Sequence, residues 1–178
     1  SWVRKSNLWN FALKGLERRI NGVILNSYLS GNSRHLWVIN YEEKKWLHSP
    51  EEFNKLIEAA RYDWGMAWKD EIWEDGVDLL KEIQEICLAR NIIFAVIIFP
   101  VEAQVLIEDH FSGWKKPQDK LILVLKRNNI PYLDLLPILR THRNEDIFWD
   151  HCHFTPRGAA IVGEAIADFL KETLLAQK

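Results

Sequence analysis

Four side chains that can transfer protons or bind metal follow one another in the sequence, at Asp150, His151, Cys152 and His153. In a turn that leads into a helix, Asp150 can point the same way as His153 and accept a hydrogen bond from its Nδ1–H. That bond leaves Nε2 to take a proton from a hydroxyl, and the carboxylate stabilises the imidazolium that forms. The pair therefore has the composition of the base half of a serine-hydrolase site.

Other interpretations of the same stretch exist, and spacing alone does not separate them. An Asp-x-x-His pattern occurs by chance, and an isolated Asp–His pair is often a capping or surface hydrogen bond. A structural zinc site needs a second ligand pair at a distance, and neither His110 nor His142 has ligand spacing. A nucleophile at Cys152 would be adjacent to its own base, and no separate oxyanion loop is evident. We predict no metal, and we interpret His151 and Cys152 as spacers, one exposed and one packed.

The overall composition limits the class of protein. The chain has 178 residues, 48% of them hydrophobic and 27% charged, which is typical of one globular domain with a real core. A net charge of -2 gives no support for binding to nucleic acid or an anionic membrane. The longest apolar run, at 92–99, is far shorter than the ~20 residues that span a bilayer, so no transmembrane segment is predicted.

Cysteine and tryptophan each leave two interpretations open. Cys87 and Cys152 are too few for a disulfide framework, although one bond between them is compatible with the sequence. The nine Trp residues are spread along the whole chain. They fit core and helix-packing anchors, and less well a groove for sugars or acyl chains.

The order of predicted elements indicates an α/β fold. The first 20 residues have helical spacing, and 23–29 and 36–41 are interpreted as short extended pieces. Ser49, Pro50 and Glu52 predict a capped helix that ends near Tyr62, and a longer helix is predicted over 68–90. The continuous apolar run at 92–99 predicts a parallel strand buried on both faces.

The second half of the pattern repeats this alternation. A helix near 117–128 precedes a second strand within 131–135, in which Asp134 is interpreted as a cap or loop hydrogen bond. The segment from Pro100 to Gln104 follows the first strand and fits either a pocket lining or an ordinary turn. Thr155 and Pro156 start the last helix. Two buried strands are too few for a stable sheet, so further strands are expected from 23–41 or from outside the chain.

The C-terminal stretch DHCHFTPRGAAIVGEAIADFL resembles the last sequence block of the SGNH (GDSL-type) esterase and acylhydrolase family, with Asp150, His153 and Gly158 matching. The resemblance covers 70–178 well and 1–69 loosely. It implies a flavodoxin-like three-layer sandwich with a parallel sheet. It also implies ester hydrolysis without a cofactor, with His153 as general base and Asp150 orienting it.

The family's Gly-Asp-Ser nucleophile block and its oxyanion-hole Gly and Asn have no counterpart here. Gly31-Asn32-Ser33 is the nearest imitation, but it lies in a polar stretch typical of a turn, so the nucleophile is not assigned to Ser33, Ser27 or Ser30. The chain begins at Ser1 rather than Met. We therefore interpret 1–178 as one domain, the C-terminal part of such a hydrolase.

The expected substrate is a small-molecule, glycan or lipid ester, and the compartment is left open. Bare strand edges favour self-association or pairing with the missing N-terminal segment. The alternative is a non-catalytic α/β module that binds a partner or glycan, in which Asp150–His153 is a structural hydrogen bond.

Overall fold

The computed structural model describes residues 36–108 and 111–175 and places helices on both faces of a two-stranded parallel sheet. The predicted helix over the first 20 residues, the extended piece at 23–29 and the Gly31-Asn32-Ser33 turn lie outside these residues. The α-helices are α1 (Leu36–Glu42), α2 (Pro50–Ala59), α3 (Ile72–Leu88), α4 (Glu102–Leu106), α5 (Lys116–Arg127), α6 (Leu136–Thr141) and α7 (Pro156–Leu175). The strands are β1 (Val96–Ile98) and β2 (Tyr132–Asp134), and 3-10 helices cover Lys45–Leu47 and Trp64–Trp68.

The extended piece predicted at 36–41 was wrong, because these residues form helix α1. A helix places Trp37 and Tyr41 one turn apart on the same face, where their rings meet edge to face with centroids 6.3 Å apart. Trp37 also meets Trp64 edge to face at 5.9 Å. Aromatic packing therefore outweighs the β-propensity of this apolar stretch.

The capped start of α2 is confirmed. The Ser49 hydroxyl accepts a hydrogen bond from the backbone N–H of Glu52 at 3.3 Å, and Pro50 occupies the first turn. The helix ends at Ala59, slightly before the predicted end. The long helix predicted over 68–90 is present as α3, which begins at Ile72 because a 3-10 helix, Trp64–Trp68, precedes it.

The two strands run parallel in the register Val96 with Tyr132, Ile97 with Leu133 and Ile98 with Asp134. Alternate side chains enter different hydrophobic clusters, as the pleat of a strand requires. The larger cluster of buried hydrophobic residues is lined by α2, α4, α6 and α7, and Ile97 and Leu133 pack against it. The smaller cluster lies under α5 and includes Ile98. The chain is thus mixed helical with a small parallel sheet, as in the α/β class.

The prediction that 92–99 is a strand buried on both faces was wrong in length and burial. Only Val96–Ile98 is extended, and Ile92, Ile93 and Phe99 are 53%, 41% and 54% exposed. β2 pairs with one edge of β1 over three residues, no described strand pairs with the other edge, and Ile92, Ile93 and Phe99 lie outside this ladder. No helix in the described part of the chain is long and apolar enough to cross a membrane.

The last helix starts where the sequence predicts. The Thr155 hydroxyl accepts from the backbone N–H of Gly158 at 3.2 Å and donates to the Asp146 carbonyl at 2.7 Å. A Cβ at Gly158 would overlap the Ile147 carbonyl oxygen, so only glycine allows this approach. The start of α7 is thereby fixed against the segment that precedes Asp150.

Candidate functional site

The Asp150–His153 loop is closed at its base by backbone hydrogen bonds. Phe148 and Phe154 form an isolated antiparallel bridge, and the N–H of Trp149 donates to the carbonyl of His153 at 2.7 Å. The two phenyl rings pack with centroids 4.8 Å apart. These contacts turn the chain back on itself between 149 and 153, which brings the acid and the imidazole together.

Asp150 uses both carboxylate oxygens within this loop. Oδ1 accepts from the backbone N–H groups of Cys152 at 2.9 Å and His153 at 2.8 Å. Nδ1 of His153 lies 2.8 Å from Oδ2 and 3.0 Å from Oδ1, both of them hydrogen-bonding distances. The predicted Asp–His hydrogen bond is therefore present, and the carboxylate holds both the backbone and the ring.

Ionised Asp150 is stabilised by this arrangement. Partial burial opposes ionisation, but the backbone N–H groups of Cys152 and His153 and the His153 imidazole outweigh it. Together they hold the pKa of Asp150 well below its usual value. The His153 side chain is 73% exposed, and with Nδ1 engaged by Asp150, Nε2 is the nitrogen left for proton transfer.

His151 and Cys152 differ in environment: one is packed and the other is exposed. His151 is packed: its side chain is 20% exposed, and its ring meets Trp37 edge to face with centroids 4.7 Å apart. Cys152 is exposed, and partial burial and the charge of Asp150 raise the pKa of its thiol. Cys87 and Cys152 are both free, so no disulfide joins them.

Glu102 is a further carboxyl at this site. It begins α4, and its backbone N–H donates to the carbonyl of His151 at 2.8 Å, which ties the end of β1 to the Asp150–His153 loop. Burial raises the pKa of Glu102 to about 7, with repulsion from Asp150 and Asp146 adding to the effect. Glu102 was not predicted as a site residue; its position after a parallel strand, where α/β sheets place their sites, is the signal that could have identified it.

The other residues considered as candidates from the sequence are Asp134, His142 and His110. Asp134, at the end of β2, accepts a hydrogen bond from the backbone N–H of Leu136 at 3.0 Å, which confirms the predicted loop hydrogen bond. Burial raises the pKa of its carboxyl. His142 lies 2.6 Å from Glu145. His110 lies outside the described residues.

A serine beside the imidazole is not found within the described part of the chain. Ser49 is engaged as the cap of α2. Ser112 lies in a bend after Phe111 and is not hydrogen-bonded to His153. Among the described residues, the hydrogen-bond partners of the His153 side chain are Asp150 and Cys152. Ser27, Ser30 and Ser33 lie outside the described residues.

The same loop brings together three different donor types for a metal ion. One ligand atom each from Asp150, Cys152 and His153 lie within 4.8 Å of one another. The separation between Cys152 Sγ and His153 Nδ1 is 3.6 Å. No metal was predicted because the sequence lacks a remote ligand pair, and residue spacing alone does not reveal that these neighbours converge.

Comparisons with known proteins add no assignment to this geometry: no family model, curated protein or solved structure matches the chain. The site is therefore described from the geometry and ionisation of its own residues. It combines an ionised acid, an exposed imidazole oriented through Nδ1, and a second carboxyl with a pKa near neutrality. Such a set can orient a base and transfer a proton.

Proposed function

We propose that this chain supplies the acid–base half of a serine ester hydrolase of the SGNH type. His153 would take the proton of a serine hydroxyl through Nε2 and return it to the leaving alcohol. Asp150 would keep the ring in the tautomer that leaves Nε2 unprotonated and would stabilise the imidazolium. The observation that carries the proposal is the 2.8 Å separation of Asp150 Oδ2 and His153 Nδ1 on a ring that remains exposed.

The position of the pair in the fold supports this function. The loop is bonded to the segment after β1 through Glu102 and His151. In open parallel sheets, ligands bind outside the carboxyl ends of the strands. The pair therefore lies where a substrate would bind if the sheet is the core of a flavodoxin-like three-layer sandwich.

The nucleophile is assigned to polypeptide outside these 178 residues, because no serine among them has the Gly-Asp-Ser context of the family. A further strand added parallel to the free edge of β1 would end near the segment that contacts His151. A serine in the loop after such a strand would face the same end of the sheet as His153. The substrate would be a small-molecule, glycan or lipid ester, and the chemistry needs no cofactor.

The test compares the complete gene product with the 178-residue chain, using p-nitrophenyl acetate and a fluorophosphonate that labels activated serines. The complete protein is expected to turn over and to be labelled, and the 178-residue chain to do neither above background. His153→Ala in the complete protein should lower kcat by about a thousandfold or more.

His151→Ala is the matched control, because it removes a neighbouring imidazole that is packed against Trp37 and does not share the Oδ2 contact. It should have only a mild effect on kcat. The reverse ranking of the two variants would move the base to His151. Robust turnover by the 178-residue chain would contradict the assignment of the nucleophile, and inactivity of the complete protein would favour the non-catalytic module.

A further inference from the structure

We propose that Asp150, Cys152 and His153 form a binding site for a soft or borderline divalent metal ion of the Zn²⁺ class. The three residues offer a carboxylate, a thiolate and an imidazole from one short loop. Thiolate and imidazole ligands select zinc-like ions over Mg²⁺ and Ca²⁺, which prefer oxygen. The donor chemistry, and not acidity alone, therefore defines the class of ion.

The separation of the Cys152 and His153 donors fits such an ion. Zn–S bonds of about 2.3 Å and Zn–N bonds of about 2.0 Å at tetrahedral angles place neighbouring donors about 3.5 Å apart. Here Cys152 Sγ lies 3.6 Å from His153 Nδ1. Asp150 Oδ2 lies 2.8 Å from the same nitrogen, a hydrogen-bonding separation that must widen modestly to admit an ion. Three protein donors leave one tetrahedral position for water.

Hydrogen bonds place two of these donors, Asp150 and His153, before any ion binds. Asp150 Oδ1 is held by the N–H groups of Cys152 and His153, and Oδ2 is the carboxylate oxygen nearer to the His153 ring, 2.8 Å from Nδ1 against 3.0 Å for Oδ1. Cys152 and His153 are exposed, so an ion can reach them without unfolding the loop. The site therefore needs small side-chain adjustments and no backbone rearrangement.

Binding at this site redistributes two protons. The Cys152 thiol releases its proton to solvent as the metal–sulfur bond forms. The proton on Nδ1 of His153 gives way to the metal, and the neutral ring then carries its proton on Nε2. Because protonated Nε2 cannot accept from a hydroxyl, the metal-bound loop and the base-competent loop exclude one another. This last consequence rests on the proposed function, whereas metal binding does not.

The test is a Co²⁺ titration of the reduced 178-residue chain, followed through the thiolate-to-cobalt charge-transfer band and the visible d–d bands. We expect saturation at one Co²⁺ per chain and displacement by Zn²⁺. Cys152→Ser should abolish the charge-transfer band and weaken binding at least about tenfold, equivalent to about 1.4 kcal/mol. Cys87→Ser is the matched control and should leave both unchanged, because Cys87 lies in α3.

Three results would overturn the site: a band that survives in Cys152→Ser, equal losses in the two cysteine variants, or weak unsaturated binding that indicates an adventitious ion only. His153→Gln provides a second check, since it should remove one nitrogen ligand and weaken Co²⁺ binding while the band from Cys152 remains. Saturable binding that leaves fluorophosphonate labelling of the complete protein unchanged would support the metal site and contradict His153 as the base.

Discussion

The two carboxylate oxygens of Asp150 have different sets of contacts. Oδ1 accepts from two backbone N–H groups of the loop, and Oδ2 is the oxygen nearer to Nδ1 of His153, at 2.8 Å against 3.0 Å for Oδ1. An asparagine side chain can keep the first set of bonds through its own oxygen, but its amide N–H₂ would face Nδ1 as a donor. One substitution can therefore keep the backbone bonds while it replaces the nearer of the two contacts with the ring.

Asp150→Asn is expected to preserve the loop and change the tautomer of His153. In the native chain the neutral ring should carry its proton on Nδ1, and in the variant on Nε2, because the amide donates where the carboxylate accepted. Long-range ¹H–¹⁵N spectra of the histidine rings measure this directly. An unchanged His153 pattern would show that Oδ2 does not set the tautomer. His142, which pairs with Glu145, serves as the internal control.

Glu102 should make the unfolding free energy of the chain fall as pH rises. Its folded pKa, about 7, lies above the ordinary 4.5, so its contribution is fully present below pH 4.5 and is lost as pH rises through 7. Glu102→Gln keeps a neutral side chain at every pH. The unfolding free energy of this variant should equal that of the native chain at about pH 4.5 and exceed it by roughly 1–2 kcal/mol at about pH 8.5.

Urea denaturation at both pH values measures this difference. Glu145→Gln is the opposite-sign control, because Arg157 and then His142 lower the pKa of Glu145 to about 2. The stabilisation from that carboxylate is present above the ordinary pKa and is lost as pH falls through 2. The glutamine variant should therefore lose stability at neutral pH and gain none at about pH 8.5. A flat difference for Glu102→Gln across pH would contradict its assigned burial.

At the scale of elements, the start of α7 holds the loop in place. Gly158→Ala would drive a methyl group into the Ile147 carbonyl oxygen and to 3.1 Å from the Phe154 ring, so one of them must shift. We expect a loss of about 3 kcal/mol in unfolding free energy, as for overpacking against backbone. Loss of the Asp150–His153 contact should accompany it, because Ile147 and Phe154 flank that loop.

Gly163→Ala is the matched control within the same helix. A Cβ there meets nothing within 4 Å, and the residue is exposed. Alanine should raise the unfolding free energy by up to about 1 kcal/mol, because it removes the entropic cost of a helical glycine. Urea unfolding of both variants checks the pair. Equal effects at 158 and 163 would show that the contact with Ile147 is not restrictive.

Local signals in the sequence predicted local structure well. Ser49 and Thr155 cap their helices, and Asp150 reaches His153, because these interactions join residues within a few positions. The position of Glu102 beside His151 depends on a backbone bond between distant segments, which no short pattern specifies. The helix at Leu36–Glu42 depends likewise on aromatic contact with Trp64.

At the scale of the whole molecule, the sheet has an unpaired edge within the described residues. In the parallel ladder, the Val96 N–H donates to the Pro131 carbonyl, and the Ile98 carbonyl accepts from Leu135. The peptide groups of 96 and 98 therefore face β2, and those of Ile97 face the other way. Such an edge can pair with another strand, and self-association or pairing through it stays a prediction.

Amide hydrogen exchange should report this edge residue by residue. In a dilute solution of the 178-residue chain, the N–H of Ile97 should exchange faster than the N–H groups of Val96 and Leu135, which donate within the ladder. Under the proposed function, a further strand paired to the free edge of β1 would protect Ile97 to the level of its neighbours. Ile97 is the sensitive position because its side chain packs in the larger cluster in either case, so only the backbone partner changes. Equal protection of Ile97 in the 178-residue chain and in any longer gene product would mean that no strand pairs there, and the proposed serine would then have to reach His153 by another route.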